Sequence, residues 1–251
     1  MTVCNAQSRR RLSILIPNHN YAAYIGQTID SVLAQDYGPI ELVIVDDGST
    51  DGSVDVIEAA LDRAGHLART KLVALPRNRG KLGAINAVLD QLTGDYLITL
   101  DADDLLVPNY ARRCIDVLEA ERATDPAVGF VYSDCLLIDS QGELIDRGRS
   151  TPFDADLLDQ FSYVPEPAVV VTQAFLDVAP FDESIRVATK HHKWKRMVAR
   201  GWTGHYLPEP LFHYRMHGNN LSGIGSRVTA EVAQGRRGER ILSGYWTTAE
   251  A

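Results

Sequence analysis

The chain has few of the features that mark secreted or membrane-spanning proteins. Its 251 residues contain three cysteines, Cys4, Cys114 and Cys135, and this odd, widely spaced set indicates a reducing compartment and excludes a disulfide framework. No apolar run is long enough to span a membrane, and the opening residues MTVCNAQSRR lack the apolar core of a signal peptide. We therefore expect a cytoplasmic protein. Its substrate can still be membrane-bound, which leaves room for peripheral association with the inner face of the membrane.

The chain also lacks an excess of basic residues. Lys and Arg number 25 against 33 Asp and Glu, so the formal net charge is -8. Nucleic-acid binding requires clustered cationic side chains, and this balance speaks against it. Excess carboxylate is compatible instead with a divalent cation that bridges to a phosphorylated ligand. The length and the 45% hydrophobic content allow one large α/β domain.

Strand-like and helix-like segments alternate in the first half of the chain. The predicted strands are Leu12–Ile16, ended by Pro17, then Ile40–Val45, Lys71–Leu75 and Asp95–Leu100, and the predicted helices are Ala22–Gln35, Val54–Ala64 and Leu82–Leu92. The strands lack alternating polarity, which is typical of a parallel sheet covered by helices on both faces. Right-handed crossovers then bring the polar strand ends to one edge of the sheet, where ligands bind in open α/β sheets.

The second half of the chain is less regular. We predict strands at Val128–Tyr132, Leu136–Asp139, Ala168–Val171 and Leu211–Tyr214, a helix at His191–Arg200, and a short helix capped by Thr172. The sequence predicts a single domain over residues 1–251. Its parts are a nucleotide-binding half at about 12–104, an acceptor half with a smaller β region at about 105–222, and a C-terminal tail or lid at about 223–251.

Asp101-Ala102-Asp103-Asp104 directly follows an apolar strand. Carboxylates at alternate positions past a strand end can project differently, so one can ligand Mg²⁺ or Mn²⁺ while another contacts a sugar. The plain alternative is that the cluster caps a helix beginning near Pro108. Taken alone, the acidic segment does not separate these two interpretations.

Three separated stretches carry a family resemblance. They are SILIPNHNYAAYIGQTIDSVLAQDYGPIELVIVDDGSTDGS at 13–53, NRGKLGAINAVLDQLTGDYLITLDADD at 78–104 and LFHYRMHGNNLS at 211–222. In this order and spacing the chain resembles the family 2 glycosyltransferases, which have the GT-A fold, over about residues 12–222. The resemblance implies a Rossmann-like sheet and an inverting transfer from a nucleotide diphosphate sugar, usually a UDP-sugar. The implied acceptor is a glycan, a lipid-linked compound or a small molecule.

The resemblance also implies roles for individual residues. Asp47 would bind the base, Asp103 and His217 would ligate Mn²⁺ or Mg²⁺, and imidazole suits Mn²⁺ better than Mg²⁺. The other implied donor contacts are Pro17, His19 and Asn20 beside the nucleotide, Arg77, Gly80 and Lys81 near the base, ribose or diphosphate, and Asp101 with Ala102 at the ribose or sugar. Without the motif, His217 would be interpreted as a surface loop histidine. His19 stands where the family often has Tyr.

One part of the family pattern is missing. Inverting members usually carry an acidic pair, whose Asp deprotonates the acceptor, after a Phe-Asp-Glu segment; here Thr189-Lys190 stands at that place. A lysine with an ordinary pKa of about 10.4 is protonated near neutral pH and cannot simply replace that base. His191 and His192 are candidate bases because an ordinary His titrates near pH ~6.5. The alternatives are a basic helix face for an anionic acceptor, an acceptor that needs no strong base, and a chain that binds the donor but transfers poorly.

The sequence therefore supports three hypotheses. The first is a metal-dependent inverting glycosyltransferase. The second is a nucleotide-sugar-binding subunit with little transferase activity, favoured by Lys190. The third and most remote is a nucleotidyltransferase, which would release pyrophosphate instead of a nucleoside diphosphate.

Overall fold

The computed structural model describes residues 10–64, 69–217, 220 and 239–241. The first half of the chain contains strands β1 to β4 and helices α1 to α3. Their bounds are β1 Leu12–Asn18, α1 Ile25–Leu33, β2 Ile40–Asp46, α2 Ser53–Ala64, β3 Arg69–Ala74, α3 Lys81–Asn86, a 3₁₀ turn at Leu89–Gln91, and β4 Tyr96–Thr99. The alternation of strands and helices predicted for this half is confirmed.

The second half adds six strands and four helices within the described residues. They are β5 Leu105–Leu106, α4 Tyr110–Thr124, β6 Val128–Ile138, β7 Leu144–Arg149, α5 Ala155–Gln160, β8 Ala168–Val171, α6 Thr172–Leu176, α7 Thr189–Ala199, β9 Thr203–Arg215 and β10 Glu239–Ile241. The predicted tail or lid lies outside the described residues, apart from the short β10 strand, which pairs with β7.

The strands form one sheet in the order β10-β7-β6-β8-β4-β1-β2-β3, with β9 beside β6 and β5 beside β9. The segment β4-β1-β2-β3 is parallel throughout. Alternate residues of β1 enter two cores, because Leu12, Ile14 and Ile16 pack with α1 and α4, whereas Leu15 packs on the opposite face. Both faces are therefore buried, and the prediction of a mostly parallel sheet with helices on both faces and a smaller second β region is confirmed.

The directions of β6, β8 and β9 determine which later segments lie at the edge of the sheet where β4 ends. β8 runs antiparallel to β4 and to β6, so β6 runs in the same direction as β4, and β9 is parallel to β6. The carboxyl ends of β4, β6 and β9 and the amino end of β8 consequently lie at one edge. This places Glu166, two residues before β8, and the segment after Arg215 beside the end of β4.

Several predicted boundaries are wrong for local reasons. Pro17 does not end β1, because pairing with β4 stops at Leu15 and the missing N–H of Pro17 is tolerated where only β2 adjoins. The helix predicted over 82–92 ends at Asn86, whose side-chain amide bonds the backbone N–H and C=O of Phe181, both at 2.8 Å, instead of projecting from a continuing helix.

Three further predictions in the second half are corrected. The two strands predicted over 128–139 are one strand, because the polar Asp134 between them is fully buried and accepts bonds from Tyr206 O–H at 2.6 Å and Ser150 N–H at 3.0 Å. Thr172 is the first residue of α6 instead of its cap, and Val171 holds the cap position. β9 begins at Thr203, well before the predicted Leu211, because it follows β6 through three register shifts.

Candidate functional site

The acidic segment forms a tight turn directly after β4. Asp104 N–H donates to the Asp101 carbonyl at 3.2 Å, and Asp103 and Asp104 are 7% and 1% exposed. Asp104 Oδ1 accepts a bond from the Arg215 backbone N–H at 2.9 Å, which ties the turn to β9. The helix-capping interpretation is wrong, since β5 intervenes and α4 begins at Tyr110 with Asn109 at its N-cap position.

Asp103 and His217 converge at the end of this turn. His217 Nε2 lies 2.9 Å from Asp103 Oδ2, and both side chains are less than a tenth exposed. The imidazole stacks on the Tyr24 ring with centroids 5.0 Å apart and meets the edge of Tyr21 at 5.8 Å. Aromatic packing from the segment that leads into α1 thus holds the ring that the family resemblance assigns to a metal.

The potential at the turn is suited to a cation. Burial raises the pKa of Asp104 well above its ordinary value, and the charges of Asp103 and Asp101 add to this effect. Burial also raises the pKa of Asp101, with Lys81 opposing and Glu166 adding to it. Carboxylates crowded at low exposure gain from a divalent ion, which offers opposite charge and accepts oxygen ligands.

The side chains at the turn could supply part of a metal's ligand shell. Across residues 10–64, 69–217, 220 and 239–241, no three His, Cys, Asp or Glu side chains are grouped closely enough to hold an ion. Asp103 and His217 can supply one oxygen and one nitrogen ligand, and remaining positions would go to water and to a phosphorylated ligand. This donor set fits a divalent ion that bridges protein and ligand, and Mn²⁺ accepts the nitrogen more readily than Mg²⁺.

A second element of the site is the loop at 77–80, which Asp47 holds. Asp47 is 2% exposed, and its two carboxylate oxygens accept the backbone N–H groups of Arg79 and Gly80, each at 2.7 Å. Gly80 has φ +81° and Gly48 has φ +68°, conformations that favour glycine. At Gly48 a Cβ would lie 2.7 Å from the Arg77 carbonyl carbon, so the two loops are packed backbone to backbone.

The segment after β1 completes this part of the crevice. Asn18, 1% exposed, donates to Asp46 Oδ1 at 2.7 Å. Asn20 has φ +60°, accepts the Thr50 N–H at 2.8 Å and so joins the β1 and β2 loops. Pro17 lies inside the buried strand and His19 is half-buried, with its Nε2 3.4 Å from Asn20 Nδ2. The structure brings the predicted donor residues of the three loops to one edge, as expected.

Lys81, which follows the loop at 77–80, links this loop to the acidic turn. Its ammonium group donates to Asp101 Oδ1 and, at 2.6 Å, to Glu166 Oε2, while Lys193 of α7 donates to Glu166 Oε1. Burial opposes ionisation of Glu166, but Lys193 and Lys81 outweigh burial and lower the pKa of Glu166 to about 2. The first and second halves of the chain are therefore joined by a row of alternating charges.

The three candidate catalytic residues on α7 face different surroundings. Lys190 is half-buried and lies in the field of Asp101, Glu166 and Asp104, although burial lowers its pKa. His191 is 4% exposed, and its Nε2 lies 2.6 Å from the Leu158 carbonyl oxygen on α5. The structure thus brings Lys190 to the acidic turn and turns His191 towards α5.

His192 is more exposed than His191, and both line the same groove of about 600 Å³ on the outer side of α7, together with Val187 and Arg196. Burial lowers the pKa of His192. The expected basic face over 190–196 is divided as well, because Lys193 faces Glu166 and Lys195 pairs with Asp159 at 2.7 Å. The geometry therefore does not favour either histidine as a base at the acidic turn.

Sequence reasoning missed three residues of this site. Arg215 is fully buried, donates from Nε to the Asp103 carbonyl at 2.9 Å, and lies 5.0 Å over the Tyr24 ring. Glu166 and Lys193 are each 3% exposed. The available signals were a glutamate between two prolines before an apolar strand, and a lysine on the apolar side of a helix that also carries Trp194.

Fold and site together define an α/β protein whose acidic turn and glycine-containing loop at 77–80 lie at one edge of the sheet. Residues 13–162 match the model of the family described as glycosyl transferase family 2. An uncharacterised glycosyltransferase of Nostoc sp. is 30% identical over 251 residues, which cover 94% of this chain and 74% of the relative. The chain belongs to glycosyl transferase family 2, and the predicted enzyme class, a glycosyltransferase, is confirmed.

Solved structures show the same fold at lower identity. The mannosyltransferase PcManGT from Pyrobaculum calidifontis, in complex with GDP-Man and Mn²⁺, matches with a TM-score of 0.67 at 20% identity over 91% of this chain. S. aureus TarS in complex with UDP-GlcNAc matches with a TM-score of 0.66 at 16% identity over 89% of this chain. This chain spans 65% and 66% of those two chains. The similarity confirms the predicted GT-A fold.

A relative with a named product matches over a smaller share of its own length. The chondroitin synthase of Pasteurella multocida is 29% identical over 212 residues, which cover 84% of this chain and 21% of that protein.

No helix within the described residues is both long and apolar enough to cross a membrane. Cys114 and Cys135, the two described cysteines, are buried free thiols.

Proposed function

We propose that the chain transfers a sugar, with inversion, from a nucleotide diphosphate sugar to an acceptor, and that Asp103 and His217 hold the divalent metal this requires. The observation that carries the proposal is their convergence at 2.9 Å beside the end of β4. The complex of PcManGT with GDP-Man and Mn²⁺ supports use of Mn²⁺. A metal at this place supplies positive charge against the charge that develops on the departing diphosphate.

The donor roles follow the three loops. We propose that Asp47 binds the base of the nucleotide. Each of its carboxylate oxygens has two lone pairs, so each can accept a further hydrogen bond. Pro17, His19 and Asn20 would border the nucleotide. Arg77, Gly80, Lys81, Asp101 and Ala102 would line the ribose, diphosphate and sugar. A UDP-sugar is the proposed donor, supported by the UDP-GlcNAc complex of TarS, and the GDP-Man complex makes a guanine donor the comparison to include.

The acceptor proposal rests on what faces the acidic turn from α7. A direct displacement normally needs a base near the acceptor hydroxyl, worth roughly 10²–10⁴-fold in rate. Lys190 stands at that place, while His191 is bonded to the Leu158 carbonyl. We therefore favour an acceptor whose nucleophilic atom needs little help from the protein, such as an amine or a phosphate oxygen. An anionic acceptor would meet Lys190.

The alternative is a nucleotide-sugar-binding subunit with little transferase activity, which the same Lys190 observation favours. Product analysis separates the possibilities. A transferase releases nucleoside diphosphate, at least slowly by donor hydrolysis, and a nucleotidyltransferase would release pyrophosphate. A binding subunit releases neither product while still binding the donor. Equal activity on neutral, phosphorylated and carboxylated acceptors would contradict the anionic-acceptor proposal.

The metal proposal is tested by donor binding. Thermal shift and calorimetry with UDP- and GDP-sugars should show binding that requires Mn²⁺ or Mg²⁺, because a true ligand stabilises the folded state by mass action. Asp103→Ala and His217→Ala should abolish the metal-dependent binding. Asp116→Ala, on the exposed face of α4, is the matched control and should bind as wild type does. Metal-independent binding by the wild type would contradict the proposal.

A further inference from the structure

Four charged groups form a row at the site, and three of them are buried or nearly so, while the Asp101 side chain is 33% exposed. Lys193 of α7 donates to Glu166, Glu166 accepts from Lys81 of α3, and Lys81 donates to Asp101 after β4. Glu166 and Lys193 are each 3% exposed, and the Lys81 side chain is 15% exposed. Four separate elements therefore meet through one carboxylate that no family motif of the sequence contains.

The stability of the fold does not explain why Glu166 and Lys193 are charged at this buried place. Removing charges from water costs several kcal/mol for each ion, and buried ion pairs are often no better for stability than apolar side chains of similar volume. Lys193 lies beside Trp194 and Phe175, at 4.0 and 5.9 Å from their ring centroids, so an apolar side chain would suit this place. What the charged pair provides, and an apolar pair would not, is a defined position for the Lys81 ammonium group.

We propose that Glu166 is a positioning residue, anchored by Lys193, that holds the Lys81 ammonium group in place to bind the diphosphate of the donor. A lysine ammonium has three N–H donors, and Asp101 and Glu166 accept two of them, so a third can serve a phosphate oxygen. Without Glu166 the ammonium would be held by Asp101 alone. This inference rests on the proposed function, because it assigns the diphosphate of the donor to Lys81.

Whether diphosphate binding weakens or tightens on removal of Glu166 shows whether Glu166 acts by positioning Lys81 or only by its own negative charge. Glu166 is an anion near a polyanionic ligand, so removing its charge alone would tighten diphosphate binding. If Glu166 positions Lys81, removing it weakens diphosphate binding. Replacing Glu166 and Lys193 together removes one charge of each sign, which leaves the net charge unchanged and avoids an unpaired buried ion.

The test compares the double variant Glu166→Met with Lys193→Met against wild type, using calorimetry with UDP and UMP in the presence of Mn²⁺. UDP affinity should fall about tenfold, the effect of losing one charge-assisted hydrogen bond, while UMP affinity stays unchanged because UMP has no second phosphate. Lys81→Met should lower UDP affinity by a similar factor in wild type. Added to the double variant it should lower UDP affinity little further, because both sets of substitutions remove the same interaction between Lys81 and the diphosphate. The control pair is Arg113→Met with Glu209→Met, which removes a bridge between α4 and β9.

The outcomes are distinguishable. If wild type binds neither UDP nor GDP with Mn²⁺, the proposed function fails. If wild type binds UDP and the folded double variant binds it equally well, the role of Glu166 is overturned while the proposed function stands. If the double variant does not fold by circular dichroism, Glu166→Gln takes its place. Weaker UDP binding with unchanged UMP binding then supports the inference, and unchanged or tighter UDP binding overturns it.

Discussion

Asp47→Asn tests whether one carboxylate holds the loop at 77–80 in place. The two oxygens of Asp47 each accept a different backbone N–H, from Arg79 and from Gly80, both at 2.7 Å and almost out of contact with water. An amide has the same shape but only one oxygen. Its NH₂ group must face one of the two backbone donors, so one hydrogen bond to the side chain is lost. If the NH₂ group faces Gly80, that N–H keeps Asn78 Oδ1 at 2.8 Å as an acceptor.

The magnitude follows from those two bonds. A hydrogen bond to a charged group contributes about 1.5–3 kcal/mol, and an unsatisfied buried donor costs about 1–3 kcal/mol. Because the Gly80 N–H keeps Asn78 Oδ1 as an acceptor, only the first term applies, and we expect Asp47→Asn to lower the free energy of unfolding by about 1.5–3 kcal/mol. The free energy of unfolding of a domain is typically ~5–15 kcal/mol. Donor affinity should fall as well, since the loop carries Gly80 and leads into Lys81.

Urea unfolding of wild type and Asp47→Asn measures this difference. Asp139→Asn is a matched control, because Asp139 also accepts two backbone N–H groups, from Gln141 at 2.8 Å and Glu143 at 2.9 Å, but both reach the same oxygen. An asparagine keeps that oxygen, so the control should change stability by less than about 0.5 kcal/mol. Equal, small effects of the two substitutions would refute the assignment of Asp47 as the residue that holds the loop.

Two further predictions concern backbone contact and pH. Gly48→Ala should destabilise the protein by at least about 1 kcal/mol more than Gly52→Ala in urea unfolding, because both glycines have positive φ but only the Gly48 Cβ would meet Arg77; equal costs would contradict the packing of the two loops. Burial lowers the pKa of His191 despite its bond to the Leu158 carbonyl, so the unfolded chain binds that proton more readily and stability should fall as pH drops below about 6.5. His191→Gln should show a shallower loss of unfolding free energy over that pH range, and an unchanged slope would contradict the assignment.

Much of the fold was predictable because it depends on local pattern. The strand at Ile40–Asp46 and its neighbours are apolar on both faces, which only a sheet covered on both sides satisfies. The order of strands and helices then placed Asp47 and Asp101 at one edge by topology alone. The sequence resemblance paired Asp103 with His217, and the two side chains are in contact in the structure.

Other features depended on contacts between distant segments. Asp134 interrupts an apolar run and looks like the end of a strand, yet β6 continues because Tyr206, Ser150 and Arg147 bond its carboxylate. Glu166 comes near Asp101 only because β8 runs antiparallel to β4. No local periodicity contains that information, since it arises from the pairing of strands about 70 residues apart.

The sequence by itself determined the parallel half of the sheet, the acidic turn that ends β4, and the replacement of the expected acidic base by Lys190. Only the tertiary structure decided which side chains of α7 face that turn. Successive residues on a helix project about 100° apart, so Lys190 and the two histidines, which both line the groove beside Asp159, cannot all face the acidic turn. The packing of Trp194 and Met197 into the core orients the helix. That orientation turns Lys190 and Lys193 towards the carboxylates and His191 towards α5, because helix rotation depends on packing against neighbouring elements.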